Sequence, residues 1–266
     1  MRLNIPKGFT FRFSLLVFSL VVAGILGGVF LTGNSVFFWG LVLPILFFLG
    51  SIAYGSAVIS SGFFVPAICK GNPKGKQIAI TFDDGPHEVI TPHLLDILKA
   101  HDTPATFFCI GKNVEGREAL VKRIVDEGHL IGNHTWNHSY YWGFSMAKAM
   151  RKELLQTQEA LLEATGKKVR FFRPPFGVTT PEVNKAVKSL GYDVVGWSVR
   201  SLDAVLSDED KIFERVTREL ESGDIVLFHD VRPRTVRVLE RFLDYIKTQD
   251  FTVVPLDQLT NRQAYE

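Results

Sequence analysis

The chain is 266 residues long, with 22% charged residues and a formal net charge of +2. That length allows one ordinary domain or two small ones, and the near-neutral balance offers no basic excess for nucleic acid. The two cysteines, Cys69 and Cys109, make neither a disulfide framework nor a metal-type pair.

The charge is spread unevenly. Residues 13–69 contain no Asp, Glu, Lys, Arg or His, and that stretch is long enough for two bilayer crossings of about 20 apolar residues each. Spans are expected at about 13–31 and 36–59, joined by Thr32-Gly33-Asn34-Ser35. Pro44, inside the second, is accommodated by neighbouring helix surface. A secretory signal carries an apolar run of only about 7–15 residues before a small-residue cleavage site, and this stretch is too long for one. Residues 60–69, with Gly62 and Pro66, leave room for a partial third pass. Arg2, Lys7 and Arg12 precede the first span, and Lys70, Lys74 and Lys76 follow the second. Basic flanks are retained on the cytoplasmic side, so a two-span hairpin makes residues 1–70 the anchor of an integral bacterial inner-membrane protein. It leaves residues 71–266 on the cytoplasmic face, an orientation that a third pass would reverse.

Beyond a linker at 71–75, short apolar runs alternate with amphipathic ones. Strands are expected at 77–82, 105–110, 130–132, 169–173, 193–198, 224–228 and 251–254, and helices at 91–100, 115–127, 145–165, 180–190, 208–221 and 234–248. Thr180-Pro181-Glu182 reads as a helix start, and Gly128, Gly166, Gly191 and Gly223 stand where helices close with positive φ. Some seven βα units predict an α/β domain with a parallel sheet closed into a distorted barrel. Chemistry then belongs where strands end and loops begin.

Polar clusters stand at those ends. Asp83-Asp84, in Thr81-Phe82-Asp83-Asp84-Gly85-Pro86, sets two repelling carboxylates side by side, one available to a metal and one as a base. Asn133-His134-Thr135-Trp136-Asn137-His138 supplies two imidazoles four residues apart, which suit Zn²⁺, Co²⁺, Ni²⁺ or Fe²⁺. Arg173-Pro174-Pro175-Phe176-Gly177 stiffens a loop that holds an arginine against a carboxylate. Asp203 and Leu227-Phe228-His229-Asp230 complete the set, His229 being placed to give a proton to a leaving amine. Each cluster alone also reads as ordinary loop chemistry; five at five strand ends do not. His87, His93, His101 and His129 are read as structural, because a three-ligand site is complete without them.

In order, these motifs resemble the polysaccharide deacetylase family, whose catalytic domain is called the NodB homology domain, over roughly residues 76–255. The resemblance implies a distorted (β/α)7-type barrel that removes an acyl group, most often acetyl, from an amino sugar in a polysaccharide or lipid-linked glycan. It implies Asp84, His134 and His138 as ligands of a divalent metal, Zn²⁺ first, with Asp83 as general base braced by Arg173. It further implies an oxyanion contact at the Phe176 N–H, an acyl pocket at Leu227, and His229 as general acid oriented by Asp203. Two departures stand out. Where the family often has Trp-x-x-Asp-x-x-Asp-Trp, this chain reads Trp197-Ser198-Val199-Arg200-Ser201-Leu202-Asp203-Ala204, with Arg200 and Ala204 in place of an acid and an aromatic. A wider, more basic pocket suits a phosphate-bearing or lipid-linked sugar. The rival readings are a deformylase of a lipid-linked amino sugar and an inactive, membrane-anchored glycan-binding module; no protein partner is implied.

Overall fold

The computed structural model describes residues 10–33 and 39–266. Arg2, Lys7, the turn residues Asn34 and Ser35 and the start of the second expected span lie outside them. Two apolar helices come first, α1 (Phe11–Thr32) and α2 (Val42–Ala57). Among the described residues α1 alone is long and apolar enough to cross a membrane. Its 22 residues reach through the roughly 30 Å of hydrocarbon, whereas the 16 of α2 fall short of the about 20 needed. The second expected span is therefore seen as a shorter apolar helix. It packs on the first, with Phe18 stacked on Phe48 at 4.4 Å, while Phe30, Leu31, Trp39 and Leu43 remain exposed.

Residues 60–69 do not make a third pass. Phe63, Phe64 and Val65 are buried with Trp142, Phe172 and Val183 in one cluster. The next residues form strand β1 (Ala67–Ile68), which lies parallel to β6 (Asp193–Val195). The segment joining the apolar helices to the domain is thus part of the sheet.

The rest of the sheet is β2 (Gln77–Asp83), β3 (Thr106–Cys109), β4 (Leu130–Asn133), β5 (Phe171–Phe172), β7 (Val199–Arg200), β8 (Ile225–His229) and β9 (Thr252–Val253). All its ladders are parallel, in the order β1-β6-β5-β4-β3-β2-β8-β7, with β9 also on β2. β6 and β7 are two halves of one strand kinked at residues 196–198. The first half pairs with β5 and the second with β8, so the sheet curls into a distorted barrel. The helices expected between strands are α3 (Ile90–Ala100), α4 (Gly111–Val114) with α5 (Glu118–Asp126), α6 (Ala147–Thr165), α7 (Pro181–Leu190), α8 (Glu209–Thr217) and α9 (Pro233–Thr248). The short α10 (Leu256–Thr260) follows β9. Helix α8 stops at Thr217 rather than at 221, and Gly223 lies in the turn before β8, where its N–H donates to the Gln77 carbonyl at 2.7 Å.

The two-residue period of a strand sorts the side chains. On β2, Ile78, Ile80 and Phe82 pack outward with Leu94 and Leu98 of α3 and Phe242 of α9. Ala79 joins the inner layer with Phe108, Phe171, Val195 and Ile225. The same alternation turns Thr81 and Asp83 inward on β2, Leu227 and His229 on β8, and Arg173 two residues beyond Phe171. Asp83 and His229 are register partners, so base and acid candidates stand side by side at the mouth.

Phe82 is fully buried, stacked on Phe107 at 4.9 Å and 6.0 Å from Phe228. Phe82→Ala is expected to cost about 3–5 kcal/mol through lost contacts and the cavity left behind. Urea unfolding followed by tryptophan fluorescence measures it, and a loss under 1 kcal/mol would mean that this layer does not hold the barrel together.

Candidate metal and catalytic centre

Asp84 follows β2 with φ 78°, a left-handed conformation uncommon outside glycine. Its carbonyl accepts from Asn113 Nδ2 at 2.7 Å, which pins the turn. The next residue has no room for a side chain: a Cβ on Gly85 would lie 1.9 Å from Asp230 Oδ2. His134 and His138 follow β4 in a loop folded by the Asn133 side chain, whose Oδ1 accepts from the Thr135 N–H at 2.9 Å. Thr135 Oγ1 then accepts from the His138 N–H at 3.1 Å. These contacts bring the two rings to 4.7 Å between centroids.

The structure brings the three expected ligands together. His134 Nε2 and His138 Nε2 each lie 3.5 Å from Asp84 Oδ1, and one donor atom from each residue falls within 4.8 Å of the others. A carboxylate with two imidazoles fits a divalent ion. His134 Nδ1 sits 2.7 Å from the Arg173 carbonyl, which assigns the proton to Nδ1 and turns the Nε2 lone pair to the centre, the usual outer support of a ligating histidine.

Electrostatics agrees with the donor set. Burial opposes a charge on Asp84, but the His134 hydrogen bond and the charges of His134, His229 and His138 outweigh it and hold the carboxyl well below the usual carboxylate range. Burial favours a neutral His134, yet Asp83 and Asp84 together overcome it and raise its pKa. Burial, then the neighbouring His134, push His138 down to about 4. A bound cation would favour the neutral, ligating form of both imidazoles.

Asp83 stands beside this group, 4% exposed. Its Oδ1 accepts from Arg173 Nη1 at 2.7 Å, and its Oδ2 lies 3.8 Å from His134 Nε2. Arg173 is fully buried and lies over the Phe108 ring at 4.2 Å. Opposite, His229 Nδ1 is 2.6 Å from Asp203 Oδ1. Asp203 is held in turn by Ser201 Oγ, Thr235 Oγ1 and the His229 N–H. Burial would lower the pKa of His229, but the hydrogen bond and charge of Asp203 win and raise it. A cavity of about 310 Å³ joins Asp83, Asp84, His134 and His138 to His229, Phe176 and Leu227. All nine residues singled out from the sequence therefore border or support one site.

Asp230, next to His229, has no role in the expected set. It is buried, and burial, then the charges of Asp84 and Asp83, push it up to about 7 against the opposing Thr91 hydrogen bond of 2.6 Å. Its signal, a second acid beside His229, was too local to show which elements would enclose it. Asn113 carried no motif. Among the other histidines, His129 Nδ1 accepts from the Ala105 N–H, and His87 Nδ1 accepts from the N–H groups of Val89 and Ile90.

With this geometry in view, the family model described as polysaccharide deacetylase matches residues 70–195. A peptidoglycan-N-acetylglucosamine deacetylase from Bacillus cereus is 39% identical over 189 residues, covering 69% of this chain and 88% of that protein. The chain belongs to the polysaccharide deacetylase family. A second relative in the polysaccharide deacetylase family, a peptidoglycan-N-acetylglucosamine deacetylase from Listeria monocytogenes, is 36% identical over 202 residues, which are 76% of this chain and 42% of that longer protein. The chain thus spans well under half of the Listeria protein. A crystal structure of a peptidoglycan N-acetylglucosamine deacetylase superposes with a TM-score of 0.71 at 31% identity, covering 74% of this chain and 94% of that one.

If Asp84, His134 and His138 form a metal site, His134→Ala dialysed against trace metal is expected to lose its stoichiometric divalent ion by plasma mass spectrometry. Asp83→Asn is expected to keep it. Equal metal in the His134 variant and the wild type would remove the ligand set.

Proposed function

We propose that the chain is a metal-dependent hydrolase that removes an N-acetyl group from an amino sugar of peptidoglycan type or of its lipid-linked precursor. The observation that carries this reading is the pairing across one register of Asp83, held by Arg173, with His229, held by Asp203. One carboxylate is paired with a buried guanidinium and one imidazole with a buried carboxylate, and they flank a three-donor group. Zn²⁺ is the ion best suited to Asp84, His134 and His138, with Co²⁺, Ni²⁺ and Fe²⁺ compatible. Bound there, it would supply Lewis acidity to a water molecule and to the acyl oxygen.

The chain's own residues supply the rest. Asp83, with one oxygen fixed by Arg173, takes the proton of the attacking water through the other. The new C–O bond turns the acyl oxygen into an oxyanion, which the Phe176 N–H faces. His229 passes its proton to the amide nitrogen as the C–N bond breaks, releasing acetate and the free amine, while Asp203 stabilises the imidazolium beforehand. Leu227, buried in the pocket wall, packs against the acyl methyl.

Substrate class follows from the departures. Arg200 and Arg232 are exposed and line the pocket, and among the described residues neither guanidinium is in an ion pair. Arg200 lies over the Trp197 ring at 5.4 Å, and Ala204 leaves space beside it. Two unpaired guanidinium groups suit an amino sugar bearing phosphate or carboxylate. With α1 and the shorter α2 crossing as a hairpin, the basic flanks before α1 and after α2 further favour an integral inner-membrane protein whose domain faces the cytoplasm, whereas a crossing by α1 alone would face it outward. A reporter fused after Glu266 is expected to be active in its cytoplasmic form; an active exported reporter would overturn that orientation and favour exported polymer.

Asp83→Asn and His229→Ala are each expected to lower acetate release from N-acetylglucosamine oligomers about 10²–10⁴-fold with the metal content unchanged. Because the active His229 is protonated and its pKa is raised, activity falls as pH rises through that pKa. Asp203→Asn removes the raising charge, so this alkaline limb should move to lower pH. Near-normal turnover in both base and acid variants would sink the mechanism.

A further inference from the structure

The loop from His138 to α6 is built unlike the other connections. Trp142 is 1% exposed, yet Tyr140, Tyr141, Phe144 and Met146 around it are 85%, 76%, 88% and 67% exposed. Single exposed apolar side chains need no explanation, but four within residues 140–146 make a patch that calls for a covering surface. The other concentration of such side chains lies on α1 and α2.

Loop and anchor are joined. Trp142 is buried in one cluster with Ile59, Phe63, Phe64 and Val65, just past the end of α2. Gly143 lies against Val178, and the next residue, Thr179, donates from N to the Ser56 carbonyl at 3.1 Å and from Oγ1 to the Gly55 carbonyl at 3.0 Å. The start of α1 is tied in by the Phe11 N–H on the Phe63 carbonyl at 3.0 Å. The barrel-side ends of both apolar helices and the aromatic loop therefore share one end of the molecule. Positive charge marks the same level: Arg12 at the start of α1, and Lys148 and Lys152 in the first turns of α6, are exposed. The nearby acids are engaged within the protein, Glu153 with the Asn137 N–H and Glu182 with Lys185 and the Ala147 N–H.

Aromatic rings favour the boundary between headgroups and acyl chains, and lysines there meet anionic headgroups. We propose that residues 140–146 form an interfacial contact with the lipid bilayer, Phe144 and Met146 entering the acyl boundary while Lys148 and Lys152 meet anionic headgroups. This rests on α1 being a membrane anchor. Tyr140 also stacks on Phe176 at 5.1 Å, and both line the pocket. The same seating therefore sets the pocket mouth at the bilayer surface, within reach of an amino sugar carried on a membrane lipid.

The test uses the full chain in nanodiscs of phosphatidylglycerol and phosphatidylethanolamine, with Cys69→Ser to leave only the buried Cys109. A nitrobenzoxadiazole label goes on Phe144→Cys or, as a control, on Thr248→Cys at the far end of α9. Blue-shifted emission, quenched by lipids with a doxyl group high on the acyl chain, is expected at 144 and not at 248. Water-like emission at 144 from chains that remain in nanodiscs overturns the loop contact and leaves the anchor standing. A blue shift without lipid quenching means that a protein surface, such as a second copy, covers the loop, and overturns it equally. Chains that separate from the nanodiscs overturn the anchor and the loop contact together. As a functional arm, Phe144→Ser with Met146→Ser should leave turnover of water-soluble N-acetylglucosamine oligomers unchanged and lower kcat/KM at least 10-fold for polyprenyl-diphosphate-linked N-acetylglucosamine in the same discs; an equal ratio for both substrates counts against the surface seating.

Discussion

One buried guanidinium holds the site together. Arg173 has no contact with water, and its donors are distributed over three parts of the sheet: Asp83 and Thr81 on β2, the Val195 carbonyl on β6 and the Gly196 carbonyl at the kink. Its own carbonyl fixes His134. A buried ion pair adds little net stability over a well-packed apolar substitute, but removing one partner leaves an uncompensated charge at about 3–5 kcal/mol. Burial by itself would lower the pKa of Arg173, and Asp83 opposes that. The candidate base, the orientation of a ligand candidate and the bend that lets the barrel curl thus depend on the same residue.

Around that fixed hub the backbone is strained where it meets the cavity. Asp84, Thr135, His138, Phe176 and Leu202 have positive φ without being glycine, and conformations of this kind cost of order 1–3 kcal/mol each where sparsely populated. They occur on loops that leave the C-terminal ends of buried parallel strands, where a rigid scaffold can hold short polar turns in place. Phe176 shows the use of it: its turn carries the ring to His138 at 4.6 Å and against Tyr140, so one residue shapes the mouth.

Much of this was legible in the sequence. Parallel strands buried on both faces read as unbroken apolar runs, so β2, β3 and β8 were plain, and amphipathic helices between them fixed the alternation. Most of the nine candidate residues stood out because metal and proton chemistry restricts residue type so strongly, while Phe176 and Leu227 were implied by the family resemblance alone. What was not legible depends on contacts distant in sequence. β1 and β7 have two residues each, too few to show a period, and exist because a neighbouring edge is open. The burial of Asp230 is set by Gly85 and Thr91, more than a hundred residues away. The length of α2 also escaped, because absence of charge marks an apolar segment without marking where helical geometry begins.

The short strand β1 also determines how the protein can be divided. Ala67 and Ile68 pair with Val194 and Val195, and Lys70 lies 3.4 Å from the buried Asp224 carboxylate. Separating the apolar helices at the apparent linker would take a rung from the sheet edge, strip Phe63 to Val65 from the apolar cluster around Trp142, and leave Asp224 without its cation. What looks in sequence like a removable leash is a keel, shared by the helices and the barrel.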